Sequence, residues 1–219
     1  MKKNGGLSNE YRDIFLMYGA ERHAEKNQYL LERGSPATEL WYITKGIVRA
    51  FCTGYDGEDI TLFYVSEGNV IYNESLCPNS VIIQDAQAIT PLTYYALSAE
   101  RLLQLAEPRD LAFKTLFPHV VDRIILYQEY ILCSHFKEST KRIAYFLYTS
   151  YKHSGAVLPY THEQIGAITS INRISVNRIL HDFAKDGLIS LGYRHVKVLA
   201  PARLAKVFSS VGFFSSNQD

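Results

Sequence analysis

The sequence predicts an α+β protein: an N-terminal double-stranded β-helix (jelly roll), then a long helix, then a C-terminal winged helix-turn-helix. Three observations support this class. Short β-rich runs separated by glycine-bearing turns fill residues 27–97. An amphipathic helical pattern replaces them from Ser98 onwards. Two short helical patterns and a hairpin pattern then occupy residues 161–200. We therefore expect three segments, residues 1–108, 109–137 and 138–219.

The strand prediction depends on composition and on the turns. The runs TELWYI, IVRAFC and ITLFYV are rich in β-branched and aromatic residues, which favour strands. Between them stand RGSP, TKG, YDGED and SEGN, which have the residues that tight turns prefer. Short strands at such regular spacing are typical of a sandwich or barrel.

The long helix is predicted over residues 109–136. AERLLQLAE precedes it as a shorter amphipathic helix, and Pro108 ends that helix or starts the next. Pro118 either kinks the long helix or restarts it. Beyond it, apolar positions recur at steps of three and four, which is close to a heptad seam. We expect this seam to pair with the same seam of a second copy of the chain; the alternative is a helix buried in the core. The seam residues are Val121, Ile124, Gln128, Ile131 and His135.

Residues 139–151 predict one more amphipathic helix, with Ser139 or Thr140 as its N-cap. The following HSGAVLPY is interpreted as a connection.

Two helices separated by a tight turn are predicted by THEQIGAITSINRISVNRIL. Thr161 with Gln164 forms a capping-box pattern, and the pattern breaks near residues 170–172, where Asn172 can cap a second helix. That second helix has one apolar stripe, composed of Val176, Ile179, Leu180 and Phe183. Its other face carries polar and basic side chains, the layout of a helix that enters the major groove of DNA. An ordinary helical hairpin with a basic side is the alternative.

A β-hairpin follows, with LIS and HVKVL as its strands. It predicts a wing whose tip, at Tyr193 and Arg194, is placed to contact phosphates. The charge distribution agrees with this. Residues 1–137 have a net charge of −4 and residues 138–219 a net charge of +5, so only the C-terminal segment is expected to face a polyanion.

These segments resemble the Crp/Fnr family of bacterial transcription regulators over nearly the whole chain. RGSPATELWYITKGIVRAF and DGEDITLFYVSEGNVI are similar to its cyclic-nucleotide-binding-type β-roll, and THEQIGAITSINRISVNRILHDFAKDGLI to its DNA-binding motif. The resemblance implies a homodimer that binds double-stranded DNA at a palindromic site, with half-sites ~34 Å apart. A cytoplasmic location is expected because no apolar signal core follows MKKNGGLSNEYRD. It also implies RNA polymerase as a partner and control by a small effector.

The recognition helix departs from the family's usual motif, most importantly at Ile174. Members often carry Arg-Glu-Thr-Val-x-Arg, where this chain has Arg173-Ile174-Ser175-Val176-Asn177-Arg178. The two arginines can bind guanine O6 and N7, but an isoleucine packs on a thymine methyl instead of accepting from cytosine. We expect a half-site richer in A·T than usual. By the same resemblance, Thr161, Asn172 and Ser175 match positions that contact phosphate in the family. The predicted DNA-binding residues are Thr161, Asn172, Arg173, Ile174, Ser175, Asn177, Arg178, Tyr193 and Arg194.

Cyclic AMP is not the expected effector. Family members that bind it hold its phosphate with an Arg-Ser pair, which corresponds here to Ile82-Ile83, and no Lys or Arg stands between Arg49 and Arg101. Burying a phosphate without a positive partner is costly. The hydroxyl pair of the dimer helix corresponds to Tyr127-Gln128. We expect a small aromatic or phenolic effector, because the roll also resembles that of regulators that sense halogenated phenols. The residues predicted to contact the effector are Tyr64, Tyr72, Asn73, Glu74, Tyr127 and Tyr130. For each of them a role in the hydrophobic core is the alternative.

Other kinds of sensor and other protein classes would leave different signatures in the sequence. An Fnr-type iron–sulfur cluster needs N-terminal cysteines, but the first is Cys52. Three alternatives to an aromatic effector remain. They are haem bound through His23, His119 or His135, a thiol switch, and a regulator that needs no ligand. No cofactor or metal is expected. A cupin-like metalloenzyme needs clustered histidines on the strands, and none stands between His23 and His119, so no enzyme is expected. A winged helix that docks a protein instead of DNA is the remaining alternative.

Overall fold

The structure, a computed structural model, describes residues 9–106, 114 and 116–209. The described chain forms two compact units that divide between Arg123 and Ile124. The predicted boundary between residues 108 and 109 lies outside the described residues. No helix in the described ranges is long and apolar enough to cross a lipid bilayer.

The N-terminal unit is a β-roll with two antiparallel sheets, ordered β1-β7-β2-β5 and β4-β3-β6. The three runs predicted as strands are β2, β3 and β4, so the jelly-roll prediction is confirmed. The elements before the long helix are α1 (Asn9–Tyr18), β1 (Ala20–Ala24), β2 (Glu39–Lys45), β3 (Ile47–Thr53), β4 (Asp59–Ser66), β5 (Val70–Ile71), a 3₁₀ turn (Asn73–Leu76), β6 (Asp85–Ala88), β7 (Leu92–Ser98) and α2 (Ala99–Ala106).

Two apolar clusters hold this unit together. Inside the roll, the Trp41 ring stacks on Tyr94 with centroids 4.3 Å apart and meets Tyr72 edge-on at 4.9 Å. A second cluster joins α1 and α2 to the sheet through fully buried residues such as Phe15 and Leu102. Aromatic pairs of this geometry add to the stabilisation that burial itself gives.

Helix α3 (Phe117–His135) has Pro118 in its first turn, where proline is well tolerated. The first part of the predicted helix over residues 109–136 lies largely outside the described residues. Along α3 only Cys133 is buried as a whole residue, and the His119 ring is partly buried against Tyr11. Most of the apolar side chains after Pro118 are exposed or half-buried in a single copy of the chain.

The C-terminal unit is a winged helix-turn-helix with a three-stranded sheet ordered β8-β10-β9. Two expectations are corrected. The N-cap of α4 is Glu138, and Ser139 is already helical. The supposed connection contains β8, which pairs with β10. The elements are α4 (Ser139–Ser154), β8 (Val157–Leu158), α5 (His162–Thr169), α6 (Arg173–Lys185), β9 (Ile189–Gly192), β10 (His195–Val198) and α7 (Pro201–Phe208).

Candidate nucleic-acid interface

Two side-chain caps fix where α5 and α6 begin. Thr161 Oγ1 accepts a hydrogen bond from the Gln164 backbone N–H at 3.2 Å, and Gln164 Oε1 accepts from the Thr161 N–H at 2.8 Å. Asn172 Oδ1 accepts from the Ser175 N–H at 2.9 Å. The predicted capping box and second cap are confirmed. Because both oxygens act as acceptors, the Thr161 hydroxyl hydrogen and the Asn172 amide hydrogens remain available as donors.

The turn between the helices requires a glycine on α5. A Cβ at Gly166 would lie 2.7 Å from the backbone oxygen of Ile171. The chain reverses through Ser170, which has a left-handed φ of 53°. This close approach sets how α6 stands against α5.

Helix α6 has one buried and one exposed face, as predicted. Its four stripe residues Val176, Ile179, Leu180 and Phe183 are buried. On the opposite face Ile174 is 84% exposed, and Asn177 and Arg178 are exposed as well. A single exposed isoleucine is common on protein surfaces, so the informative feature is its place on the same face as exposed polar and basic side chains.

Two arginines of α6 have no carboxylate partner among the described residues. Arg173 and Arg178 are exposed, and neither forms an ion pair within residues 9–106, 114 and 116–209. Their guanidinium groups are therefore free to bind an anion or the edge of a guanine.

The wing is the hairpin of β9 and β10, in which Gly192 pairs with His195 across a two-residue loop. That loop consists of Tyr193, which is 88% exposed, and Arg194, which has a left-handed φ of 58°. The hairpin thus presents an aromatic ring and a cation at its tip, where the sequence predicted them.

A cleft of about 220 Å³ separates the wing tip from the start of α5. Its surface is more apolar than polar, although its lining includes hydroxyl, imidazole and guanidinium groups that can contact a phosphate. The lining residues are Tyr160, Thr161, His162, Gly192, Tyr193, Arg194 and His195.

His162 is a site residue that the sequence reasoning missed. Its Nδ1 lies 3.0 Å from Asn177 Oδ1 on α6. Its ring stands nearly perpendicular to that of His181, with centroids 6.4 Å apart. The signal available in the sequence was its place directly after the N-cap Thr161, where a side chain lies at the front of the motif.

In the roll, the predicted effector residues have different surroundings. Tyr72 belongs to the core: its ring is 1% exposed and its hydroxyl lies 3.4 Å from the backbone N–H of Leu31, which donates to it. Burial raises the pKa of this phenol, which therefore stays neutral. Tyr64 lies on β4 and is half-buried.

Asn73 and Glu74 share the 3₁₀ turn that follows β5. Glu74 accepts a hydrogen bond from Gln84 Nε2 at 3.3 Å, whereas the buried Oδ1 of Asn73 has no hydrogen-bond partner in the described part of the chain. The structure brings these two residues next to Tyr72 along the chain, and their role as effector contacts stays a prediction.

The other two predicted effector contacts lie in the C-terminal unit, on α3. Tyr127 is exposed. Tyr130 lines a cleft of about 230 Å³ beside the helix-turn-helix, together with residues that include Cys133, Arg142 and Ser170. Arg142 spans this region, donating to the backbone oxygens of Phe136 and Thr169.

The roll position expected to hold a nucleotide phosphate is apolar. Ile82 is fully buried, and Ile83 is exposed. Arg49, a cation on β3 of the roll, is engaged elsewhere: it donates to Thr61 Oγ1 at 2.8 Å and pairs with Asp59 at 3.2 Å.

Candidate haem ligands and thiols are scattered. His23 and His135 are exposed, whereas burial, with a smaller effect from Arg123, lowers the pKa of His119 to about 4. The three cysteines are free: Cys77 is exposed, Cys52 half-buried and Cys133 buried. Within the described residues, no three His, Cys, Asp or Glu side chains are grouped as a metal site.

Two family models match the chain. Residues 141–207 match the Crp-like helix-turn-helix domain, and residues 21–109 match the cyclic nucleotide-binding domain. The first covers α5, α6 and the wing, and the second covers the strands of the roll.

Whole-length relatives agree with these matches. The cyclic AMP receptor protein of Thermus thermophilus is 26% identical over 203 residues, which are 92% of this chain and 94% of the relative. The global nitrogen regulator of Synechococcus elongatus is 23% identical over 195 residues, covering 84% and 88%. The solved structure of FixK2 from Bradyrhizobium japonicum superposes with a TM-score of 0.74 over 89% of this chain and 99% of that chain, and at 16% identity it shows the shared fold alone.

Proposed function

The chain belongs to the Crp/Fnr family of transcription regulators, and on that premise we propose that two copies form a cytoplasmic dimer that binds a palindromic DNA site under the control of a small effector. The chain is a DNA-binding regulator and not an enzyme. RNA polymerase stays a predicted partner, because no described feature identifies its contact surface.

One observation carries the DNA-binding proposal. The outer face of α6 combines the exposed Ile174 with the guanidinium groups of Arg173 and Arg178, which no described carboxylate pairs. This set matches a major groove, which offers guanine acceptors to the guanidinium groups and thymine methyl groups to the isoleucine. The cleft beside Arg194 supplies a place for the adjacent phosphate backbone.

The dimer proposal is supported by helix α3. Among its apolar side chains, Ile124 is 51% and Ile131 58% exposed, while Ile125 and Leu132 are also open to water. Of the predicted seam, Gln128 and His135 are exposed too and Val121 is half-buried. A second copy packed along this seam removes that apolar surface from water, which is the main source of dimer stability.

For the effector, the buried Ile82 supports a molecule other than cyclic AMP. Among the described roll residues, Arg49 is held by Asp59 and is not available to pair with a nucleotide phosphate at that place. We propose a small aromatic or phenolic compound, with haem-based or thiol-based sensing and ligand independence as alternatives that the same experiments distinguish.

The DNA-binding proposal is tested by salt titration. Fluorescence anisotropy of a palindromic duplex, recovered from a random pool, gives the affinity between ~50 and ~300 mM KCl. Counterion release predicts that the logarithm of the binding constant falls with a slope of about −0.9 for each phosphate neutralised. Arg194→Ala is expected to reduce the slope by about 1 per copy of the chain. The matched control is Lys206→Ala, which removes the same charge from the exposed face of α7 and is expected to leave the slope unchanged.

The dimer is tested with Ile131→Glu. A carboxylate in the middle of the seam is costly to bury, so sedimentation velocity is expected to show a monomer that no longer binds the palindrome. A folded dimer with unchanged DNA affinity contradicts the assignment of this seam.

The effector is sought by thermal shift with a panel of cyclic nucleotides, haem, phenols and small aromatic acids. Ligand at ~100 Kd adds about 2.7 kcal/mol of stability, which shifts Tm by several degrees. A shift with aromatic compounds alone supports the proposal, whereas a shift with cyclic AMP contradicts it. Silence across the panel favours ligand independence or a thiol switch.

A further inference from the structure

We propose that His162 sets the base preference of Asn177, by holding the side-chain carbonyl of Asn177 so that only its amide NH₂ faces the DNA. The inference rests on the proposed function, since it requires α6 to lie in a major groove. It assigns a positioning role to a residue at the start of α5, outside the recognition helix.

The geometry fixes the direction of the hydrogen bond. His162 Nδ1 lies 3.0 Å from Asn177 Oδ1, and an amide oxygen only accepts, so His162 Nδ1 carries the hydrogen and donates it. Both the neutral Nδ1–H form of the imidazole and the imidazolium meet this requirement.

The place of Asn177 makes the bond relevant to DNA. Asn177 is exposed and lies on the outer face of α6, one turn after Arg173 and one turn before His181. The His181 ring stands nearly perpendicular to that of His162 at 6.4 Å. Flanked in this way, the amide of Asn177 has one preferred orientation before it meets a base.

A free asparagine and a held one recognise different bases. With both groups available, asparagine binds adenine through a pair of hydrogen bonds, accepting from N6 and donating to N7. With its oxygen turned toward His162, the amide presents its NH₂ group to the groove, and this group donates to guanine O6 or N7, adenine N7 or thymine O4. The held form thus loses the advantage of adenine over guanine and still disfavours cytosine, which presents a donor in the major groove.

The test measures affinity for operators in which each half-site position is replaced symmetrically by all four base pairs. At one position we expect the wild-type protein to bind guanine and adenine about equally. In His162→Ala the freed Asn177 is expected to prefer adenine by about tenfold, within the range of one bidentate contact. His162→Asn keeps an N–H donor near the position of Nδ1 and is expected to retain the wild-type preference.

The double mutant separates positioning from a direct contact. If His162 acts through Asn177, His162→Ala no longer changes the preference at that position once Asn177→Ala is present. His181→Ala controls for loss of a neighbouring imidazole and is expected to leave the base preference unaltered. Circular dichroism and Tm confirm that each variant is folded, because the Thr161 cap does not involve the imidazole.

The outcomes are distinct. A shift toward adenine that requires Asn177 supports the inference. An equal loss of affinity for all four bases makes His162 a phosphate contact and overturns it, as does a shift that survives in Asn177→Ala. Failure of the wild-type protein to bind any duplex overturns the proposed function itself.

Discussion

Gly166→Ala tests how closely α5 and α6 must approach. The added Cβ would stand 2.7 Å from the backbone oxygen of Ile171, well inside the 3.4–4 Å of an ordinary contact. That oxygen belongs to the turn and cannot rotate away. Ile171 is itself tied to α5, since its N–H donates to the Gly166 oxygen at 3.0 Å.

Two effects of opposite sign decide the magnitude. Overpacking of this kind costs about 1–3 kcal/mol, while replacing glycine by alanine inside a helix gains up to about 1 kcal/mol. We expect a net destabilisation of about 1–2 kcal/mol. For a domain of 60–100 residues each kcal/mol lowers Tm by about 4–8 °C. Because the strain is relieved by moving α6, DNA affinity is expected to fall as well.

The assay is thermal unfolding of the full chain followed by circular dichroism, with anisotropy for DNA binding. Ala167→Gly is the neighbouring control: it removes a Cβ from the same helix, and is expected to cost about 1 kcal/mol through helix propensity with no change in DNA affinity. If Gly166→Ala is as stable as the wild type or more stable, helix propensity has prevailed and the described approach of the two helices is wrong.

Three further predictions concern single side chains. Ile174→Glu supplies an acceptor for cytosine N4, so selected half-sites are expected to move from A·T toward G·C at one position, discriminated by about 1–3 kcal/mol; unchanged selections would show that Ile174 does not meet a base. Burial lowers the pKa of His119 from 6.5 in the unfolded chain to about 4 in the folded chain. Between these two values the unfolded chain binds one proton more than the folded chain, so the free energy of unfolding falls as pH drops from about 6.5 to 4. At pH 5 the free energy of unfolding is expected to be lower by about 1–2 kcal/mol. Denaturant titrations are expected to show no such loss in His119→Gln. If the wild type and this variant had the same pH dependence, the burial of the His119 ring would be contradicted. Burial also raises the pKa of the Cys133 thiol to about 12, so mass spectrometry after brief alkylation is expected to find the exposed Cys77 labelled and Cys133 unlabelled, a result that early labelling of Cys133 would refute.

The sequence predicted the elements whose patterns are strong and local. Strands β2 to β4 have β-branched runs between turns, and the caps Thr161 and Asn172 lie at fixed distances from their partners, so short-range rules suffice. Helix α1 and strand β1 were not predicted. Four of the five β1 side chains are exposed, with only Ala24 buried, so this edge strand has no hydrophobic alternation to detect. Strand β8 has two residues, too few for a pattern.

The site was harder to predict where it depends on contacts between elements. His162 meets Asn177, fifteen positions later in the chain, only because the Gly166 turn crosses the two helices closely. Tyr72 was assigned to an effector cavity from its chemistry, whereas its left-handed φ of 69° and its contact with Trp41 place it in the roll core. Neither a positive φ at tyrosine nor a tertiary ring contact can be inferred from neighbouring residues.

The central claim is that this chain binds DNA specifically as a symmetric dimer, and selection of binding sites from a random duplex pool tests it most directly. The account predicts an inverted repeat whose half-sites are centred about one helical turn, ~34 Å, apart. Recovery of no enriched sequence, or of a single unrepeated half-site, would contradict it.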